Sequence, residues 1–439
     1  MREKQTYNVI WFRNDLRVFD NYSIQKACQE SRPILAVYCF DPRHFEETTF
    51  GFKKTEKFRA KFLLESVQNL QKNLKEKLHI SLLVFNDYPE KIIPNLAEKY
   101  HFQKIFLQKE WTQEEAEVQQ NLKYHLPEVD FIETYDQFLF HPEDIPYESF
   151  QNIPEIYTQF RKKTEYHVNV KPPANLPQPQ PEEYLVKHTT QVPPLKDLEL
   201  SEVEIDSRSA FPFRGGEDEA DKRIQHYFWD TCQLQHYKET RNGLLGADYS
   251  SKLSAWLANG SISARKIYWE IKKFEKQIVK NDSTYWLIFE LIWRDYFKYI
   301  SLKHGNKLFQ LNGISTKNLD WNHDTETLAK WVNGETQEPF VNANMKEIDA
   351  TGFMSNRGRQ NVNSFWAKEL KQDWRVGAAY FESMLIDYDV HSNWGNWMYN
   401  SGVGNDPRDR KFNIKSQAKR YDPNQKYQQT WLSGQKELF

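Results

Sequence analysis

Only three cysteines occur in 439 residues, and Cys28, Cys39 and Cys232 lie far apart. That spacing excludes a disulfide framework and a cysteine-based metal site, and it suits a reducing compartment. No apolar run approaches the ~20 residues that a bilayer-spanning helix needs. The charged start "MREKQTYN" lacks the apolar stretch of a secretion signal. Basic and acidic side chains number 59 and 61, a net charge of −2. No global field therefore recruits a polyanion, and any nucleic-acid contact must rest on a local patch. No G-x-G-x-x-G follows the first apolar segment, which excludes a standard dinucleotide fold. These absences describe a cytoplasmic protein with no membrane attachment.

Aromatic residues make up 15% of the chain beside a hydrophobic total of 39%, so rings carry an unusual share of burial or stacking. Residues 1–135 alternate strand and helix patterns, which predicts an α/β domain with a five-stranded parallel sheet and flanking helices. The strand candidates are 8–12, 34–40, 80–85, 104–108 and 129–135, and Phe58, Phe62, Leu63, Val67, Leu70 and Leu74 recur at helical spacing within 55–78. Ten of the nineteen prolines fall between Pro142 and Pro194. Residues 136–205 therefore read as a long irregular linker laid over the surface. Residues 206–439 are helical in pattern and rich in tryptophan, predicting an all-helical domain.

Four stretches of this second part are candidates for chemistry. In "GADYSSKLSAWLANGSIS" (246–263), serines cluster with Lys252 ahead of an apolar segment, a composition suited to phosphate. Helix capping by serine is the plain alternative. "ELIWRDYFKY" (290–299) puts Glu290, Trp293 and Arg294 on one helix face, and "GFMSNRGRQNVNSF" (352–365) does the same for Asn356, Arg359 and Gln360. "LIDYDVHSNWGNWMYNSG" (385–402) mixes carboxylates, amides and rings, too polar for a core and too aromatic for a loop. If 385–390 is helical, the partners of Asp387 come only from tertiary contacts, while Asp389 and Asn393 are four apart and share a face.

Together with "WFRNDLRVFDN" (11–21), these pieces resemble the photolyase/cryptochrome family along essentially the whole chain, in the family's order and spacing. "TRNGLLGADYSSKLS", "GRQNV" and "WMY" resemble its DASH-type cryptochrome branch. The resemblance implies FAD in the helical domain, its phosphates and sugar held by Tyr237, Ser250, Ser251, Lys252, Leu253 and Ser254. Asn356, Arg359, Asp387, Asp389 and Asn393 would surround the isoalloxazine. Asn393 matches the position nearest the flavin N5, where an amide does not readily supply a proton, and this favours an anionic, reduced working flavin. Trp397, Trp374 and Trp321 match the electron-transfer tryptophans. Simple packing is the alternative fate of such rings.

The resemblance further implies a lesion face of Glu290, Trp293, Asn356, Gln360 and Tyr399, with Arg241, Arg357 and Gln417 on backbone phosphates. The run 408–420 carries six basic residues against one acid and suits a phosphate track. Gln113 and Glu114 match residues that contact a reduced-folate antenna, 5,10-methenyltetrahydrofolate. Other dimer photolyases carry methionine and tryptophan where this chain has Gln360 and Tyr399. No metal is implied. The activity so implied is light-driven repair of cyclobutane pyrimidine dimers by a monomer acting on single-stranded DNA, with RNA and duplex DNA as weaker partners. The rival is a blue-light receptor whose output is binding nucleic acid or a partner protein. The short ending "TWLSGQKELF" argues against an output carried by a long tail.

Overall fold

The computed structural model describes residues 5–186, 190–406 and 408–433. The first four residues of the "MREKQTYN" start and the last six of the "TWLSGQKELF" ending lie outside them. No helix among the described residues is long and apolar enough to cross a membrane.

Five strands form one sheet, β1 (Tyr7–Trp11), β2 (Ile34–Cys39), β3 (Ser81–Phe85), β4 (Phe102–Gln108) and β5 (Asp130–Thr134), in the order β3-β2-β1-β4-β5 with every pair parallel. Each agrees with its expected span to within two residues. Strand side chains alternate between faces, and here both faces are apolar. Ile10, Ala36, Leu82 and Phe106 pack with Val67, Leu70 and Leu74 of the Lys57–Leu78 helix. Val9, Leu35, Leu83 and Ile105 pack with Ile93 and Leu122 of the Pro89–Tyr100 and Gln113–His125 helices. Burial on both faces is why the strands read as continuous apolar runs.

The segment expected to be an irregular surface linker is different in two respects. It contains an eleven-residue helix, Tyr157–His167. Its apolar residues are also core residues: Ile153, Tyr157, Phe160 and Val170 enter the helical core, and Leu195, Leu198 and Leu200 enter the sheet core. It is a strap that stitches both cores, and within it residues 168–181, which hold the proline run, are without helix or strand.

Charged groups of the N-terminal signature sit at the seam between the sheet and the helices. Arg265 donates to Asp20 at 2.8 Å and to Asp136 at 3.1 Å, and all three side chains are at most 2% exposed. Arg17 donates to the carbonyls of Asp20 and Gly260 at 3.0 Å each. Gly260 has φ +72°, and a Cβ there would collide with the Asn14 carbonyl, so only glycine fits this approach. Asp295 accepts from the backbone N–H groups of Leu139 and Phe140, and Glu217 from those of Val18 and Phe19.

Candidate functional site

The helices Asn356–Ser364 and Val390–Ser401, with the end of Trp374–Met384, enclose a cavity of about 490 Å³ including its mouth. Ser355 caps the first helix by accepting from the Gly358 N–H, and Asp389 caps the second by accepting from the Ser392 N–H. Residues 385–389 are therefore a turn between helices, not the helix allowed for. Asn356, Arg359, Gln360, Asp387, Asp389, Asn393 and Trp397 all line the cavity. The i, i+3, i+4 spacing brings the first three to one side, and the turn brings the two aspartates opposite.

Arg359 donates to both carboxylate oxygens of Asp387, at 2.8 and 3.0 Å. Lys298 donates to Asp389 at 2.7 Å. Burial alone would raise the Asp389 pKa, but the charges of Lys298 and Arg294 outweigh it and hold the carboxyl well below its usual range. Asn393 donates to the Ala378 carbonyl at 3.0 Å, fixing its amide against the neighbouring helix.

Beside this cavity runs the 247–254 loop. Arg223 pins it by donating to the carbonyls of Ala247, Ser250 and Ser251 at 3.2, 2.9 and 2.9 Å. Ser251 and Leu253 are buried and Ser250 is half-buried. Ser254 begins a five-residue helix that has no side-chain cap, so serine capping does not explain the cluster. Lys252, at φ +60° and 3% exposed, has no hydrogen-bond partner for its amine among the described residues, and that amine lies 3.1 Å from the Tyr249 ring centroid. Burial lowers its pKa well below that of an ordinary lysine, and Glu347, Arg223, Arg359 and Asp387 are the charges it feels. Tyr237 is buried at the start of a short helix nearby in sequence.

Glu347, fully buried, accepts from the Tyr427 hydroxyl at 2.6 Å. Burial raises its pKa to about 7 against the pull of Tyr427, Lys252 and Arg359. Because the folded pKa lies above the unfolded one, Glu347's contribution to stability is present below about pH 4.5 and is lost as pH rises toward 7. Glu347→Gln should therefore stabilise flavin-free protein above pH 7 by on the order of 1–3 kcal/mol and change little at pH 4.5, as read by thermal melts across pH.

Trp293, on the Asp282–His304 helix, stacks on Tyr157 with centroids 3.7 Å apart and meets Tyr399, on the Val390–Ser401 helix, edge-on at 5.9 Å. Arg410 donates to the Tyr399 hydroxyl at 2.8 Å, tying the basic run to this aromatic corner. Glu290 is paired with Arg241 at 2.6 Å, and burial raises the Glu290 pKa while Arg241 opposes the rise. Arg241 thus meets a carboxylate of the same face. Arg357 holds Gln360 at 2.8 Å and Asn242 at 2.9 Å and lies over the Tyr421 ring. Gln417, half-buried, is on the Ile414–Tyr421 helix whose Lys415, Lys419 and Arg420 are exposed. Arg294 faces away from this group and donates to the Gln137 and Leu257 carbonyls at the seam.

Trp397 is 1% exposed and packs onto Gly377, where a Cβ would collide with the indole. Trp374 is fully buried at the start of that same helix and donates to the Leu311 carbonyl at 2.9 Å. Trp321 is half-buried, and the next residue, Asn322, bonds to both Lys371 and Asp373 backbones just ahead of Trp374. Gln113 and Glu114 begin the Gln113–His125 helix on the exposed side. Gln113 accepts from Asn306 at 2.6 Å, and Glu114 pairs with Lys54. Their neighbour Glu115 is half-buried, its pKa raised by desolvation to about 7.

Sequence reasoning missed Arg223, Lys298, Glu347 and Tyr427. The two basic residues read as surface charges on amphipathic helices, and no local pattern marks Glu347 or Tyr427 as a pair 80 residues apart.

A domain family described as "FAD binding domain of DNA photolyase" matches residues 286–438, and one described as "DNA photolyase" matches 8–181. A cryptochrome DASH of Synechocystis is 46% identical, covering 98% of this chain and 88% of that protein, and one of Danio rerio is 45% identical, covering 96% and 82%. The crystal structure of the Synechocystis cryptochrome superposes with a TM-score of 0.93 at 46% identity, covering 100% of this chain and 91% of that one. A class III photolyase from Agrobacterium tumefaciens, 24% identical with a TM-score of 0.83, covers 99% and 88% and shares the fold. FAD is the cofactor named in the matched domain family's description, and the buried Lys252 amine, without a hydrogen-bond partner among the described residues, fits an anionic dinucleotide. By identity, coverage and fold, the chain belongs to the photolyase/cryptochrome family, in its cryptochrome DASH branch.

Proposed function

We propose that this protein uses light to split cyclobutane pyrimidine dimers in single-stranded DNA, as a cytoplasmic monomer with sheet, strap and helical parts at 1–135, 136–205 and 206–439. The observation that carries the reading is the Trp293–Tyr399 corner, two rings set edge-on at 5.9 Å, with Tyr399 on the Val390–Ser401 helix whose Asn396 and Asn400 line the cavity together with Asn356 and Gln360. An extruded dimer stacks on such rings while polar groups read its carbonyl edges. Reduced FAD, when bound and excited, supplies the electron that opens the cyclobutane ring.

The chain's own residues supply the rest. Ser250, Ser251, Lys252, Leu253 and Ser254 bind the phosphates with Tyr237, and the Lys252 amine regains its proton beside them. Arg359, Asp387, Asp389 and Asn393 orient the ring, and the Arg359 guanidinium stabilises negative charge on it. Glu290, kept toward its neutral form by burial, donates to a dimer carbonyl once Arg241 turns to a phosphate. Arg357, Gln417 and the basic run hold the strand. Gln113 and Glu114 contact a reduced-folate antenna, 5,10-methenyltetrahydrofolate.

Preference for single strands follows from two comparable energies. Base–aromatic stacking is worth about 1–3 kcal/mol per base, and extruding a base from a duplex costs a few kcal/mol. Tyr399 offers a smaller face than tryptophan, and Gln360 must shed water before a dimer docks. Purified protein should show flavin absorption and repair dimers under blue light in single-stranded oligonucleotides far better than in duplex. Gln360→Met with Tyr399→Trp should raise duplex repair relative to single-strand repair. Equal wild-type repair of both forms refutes the preference, and repair of neither favours the receptor reading.

A further inference from the structure

One ring stack crosses the seam. Trp111, in the turn after β4, lies between Phe138, which follows β5, and His391, in the first turn of the Val390–Ser401 helix. The centroid distances are 5.7 and 4.5 Å and the rings are within 19° and 13° of parallel. Ser301, on the Asp282–His304 helix, joins the two rings that carry nitrogen: Trp111 Nε1 and His391 Nδ1 each lie 2.9 Å from its Oγ. The indole N–H only donates, so Ser301 Oγ accepts from it. The serine hydroxyl still has a second lone pair and its own proton, so it can accept from a His391 Nδ1–H or donate to a bare Nδ1; the relay takes the second arrangement, which leaves the histidine neutral with its proton on Nε2. His391 is 2% exposed and sits two residues from both Asp389 and Asn393.

We propose that Trp111 and Ser301 are positioning residues for the cavity-facing turn of the Val390–Ser401 helix: the Phe138–Trp111–His391 stack and the one-way chain from Trp111 through Ser301 to His391 hold that turn in register with the sheet half of the molecule. That the turn faces a flavin rests on the FAD reading. The stack also keeps water from His391. Lys298 and Arg294 face it from the Asp282–His304 helix, Asp389 faces it from its own helix, and Glu110 lies beyond Lys298 on the Trp111 turn. Burial and the two cations lower the His391 pKa well below its ordinary value, with Asp389 opposing. A protonated His391 would compete with Lys298 for Asp389, so a neutral ring keeps the cavity-side ion pair intact.

The test compares holoprotein carrying Trp111→Phe, which keeps the stack and deletes the donor, with Trp111→Ala, which deletes both. Nitrogen NMR of His391 in the wild type should show an unprotonated Nδ1, a protonated Nε2 and no titration from pH 8 to 5. Trp111→Phe should keep the ring neutral but mix its tautomers. Trp111→Ala should let His391 titrate near the ordinary value of about 6.5, with the visible flavin band changing over the same pH range. A wild-type Nδ1 that carries the proton, or a His391 unaffected by either change, overturns the relay. A titrating His391 with a pH-invariant flavin band overturns the link to the cavity. Protein without flavin would refute the FAD reading, while the NMR arm would still decide the relay. If Trp111→Ala does not fold, the tautomer change in Trp111→Phe decides the outcome.

Discussion

Arg265→Leu is expected to lower stability by ~3–5 kcal/mol, the cost of stranding buried charges. Asp20 and Asp136 have no exposed side-chain surface, and Arg265 is the cation bonded to both. Arg17 reaches only one of them, Asp136, at 3.9 Å as an ion pair. Urea denaturation near neutral pH, read as a drop in midpoint, measures the loss. A fall below 1 kcal/mol would mean that the seam is hydrated. Combining Arg265→Leu with Asp20→Asn and Asp136→Asn should recover part of the loss, since the penalty belongs to the unpaired charge and not to the absent ion pair.

Trp397→Phe should abolish light-driven reduction of the flavin while leaving FAD bound. Phenylalanine fills most of the indole's volume against Gly377 and keeps an aromatic wall on the cavity, but it is far harder to oxidise. In the proposed reading the three tryptophans would form a route outward: Trp397 on the cavity, Trp374 at the start of the helix that carries Gly377, and half-buried Trp321 tied to that helix start through Asn322. Chemically reduced variant should still repair single-stranded dimers, because an electron lent to the lesion returns without passing through these rings. Absorption spectra before and after blue light with a reductant check the first outcome, and a repair assay checks the second. Normal photoreduction in the variant would remove Trp397 from the route. Loss of FAD would show instead that the indole is needed to shape the cavity.

The sequence by itself determined the elements and their faces. β1 to β5 were legible because a buried parallel strand is an apolar run bounded by turns, and Asn356, Arg359 and Gln360 were legible as one face because helical spacing is local. The Tyr157–His167 helix was not, since ten prolines averaged over 136–205 masked a proline-free window at 155–171. Proline breaks structure only near itself. Only the tertiary structure decided which charges meet. Arg359 finds Asp387 across 28 residues, Lys298 finds Asp389 across 91, and Arg265 finds Asp20 across 245. Each cation stands in a pattern that reads equally well as a solvated helix face. Its partner is chosen by how two distant elements pack, and both the Lys298 and Arg294 charges that shift Asp389 down and the desolvation that shifts Glu347 up exist only after they have packed.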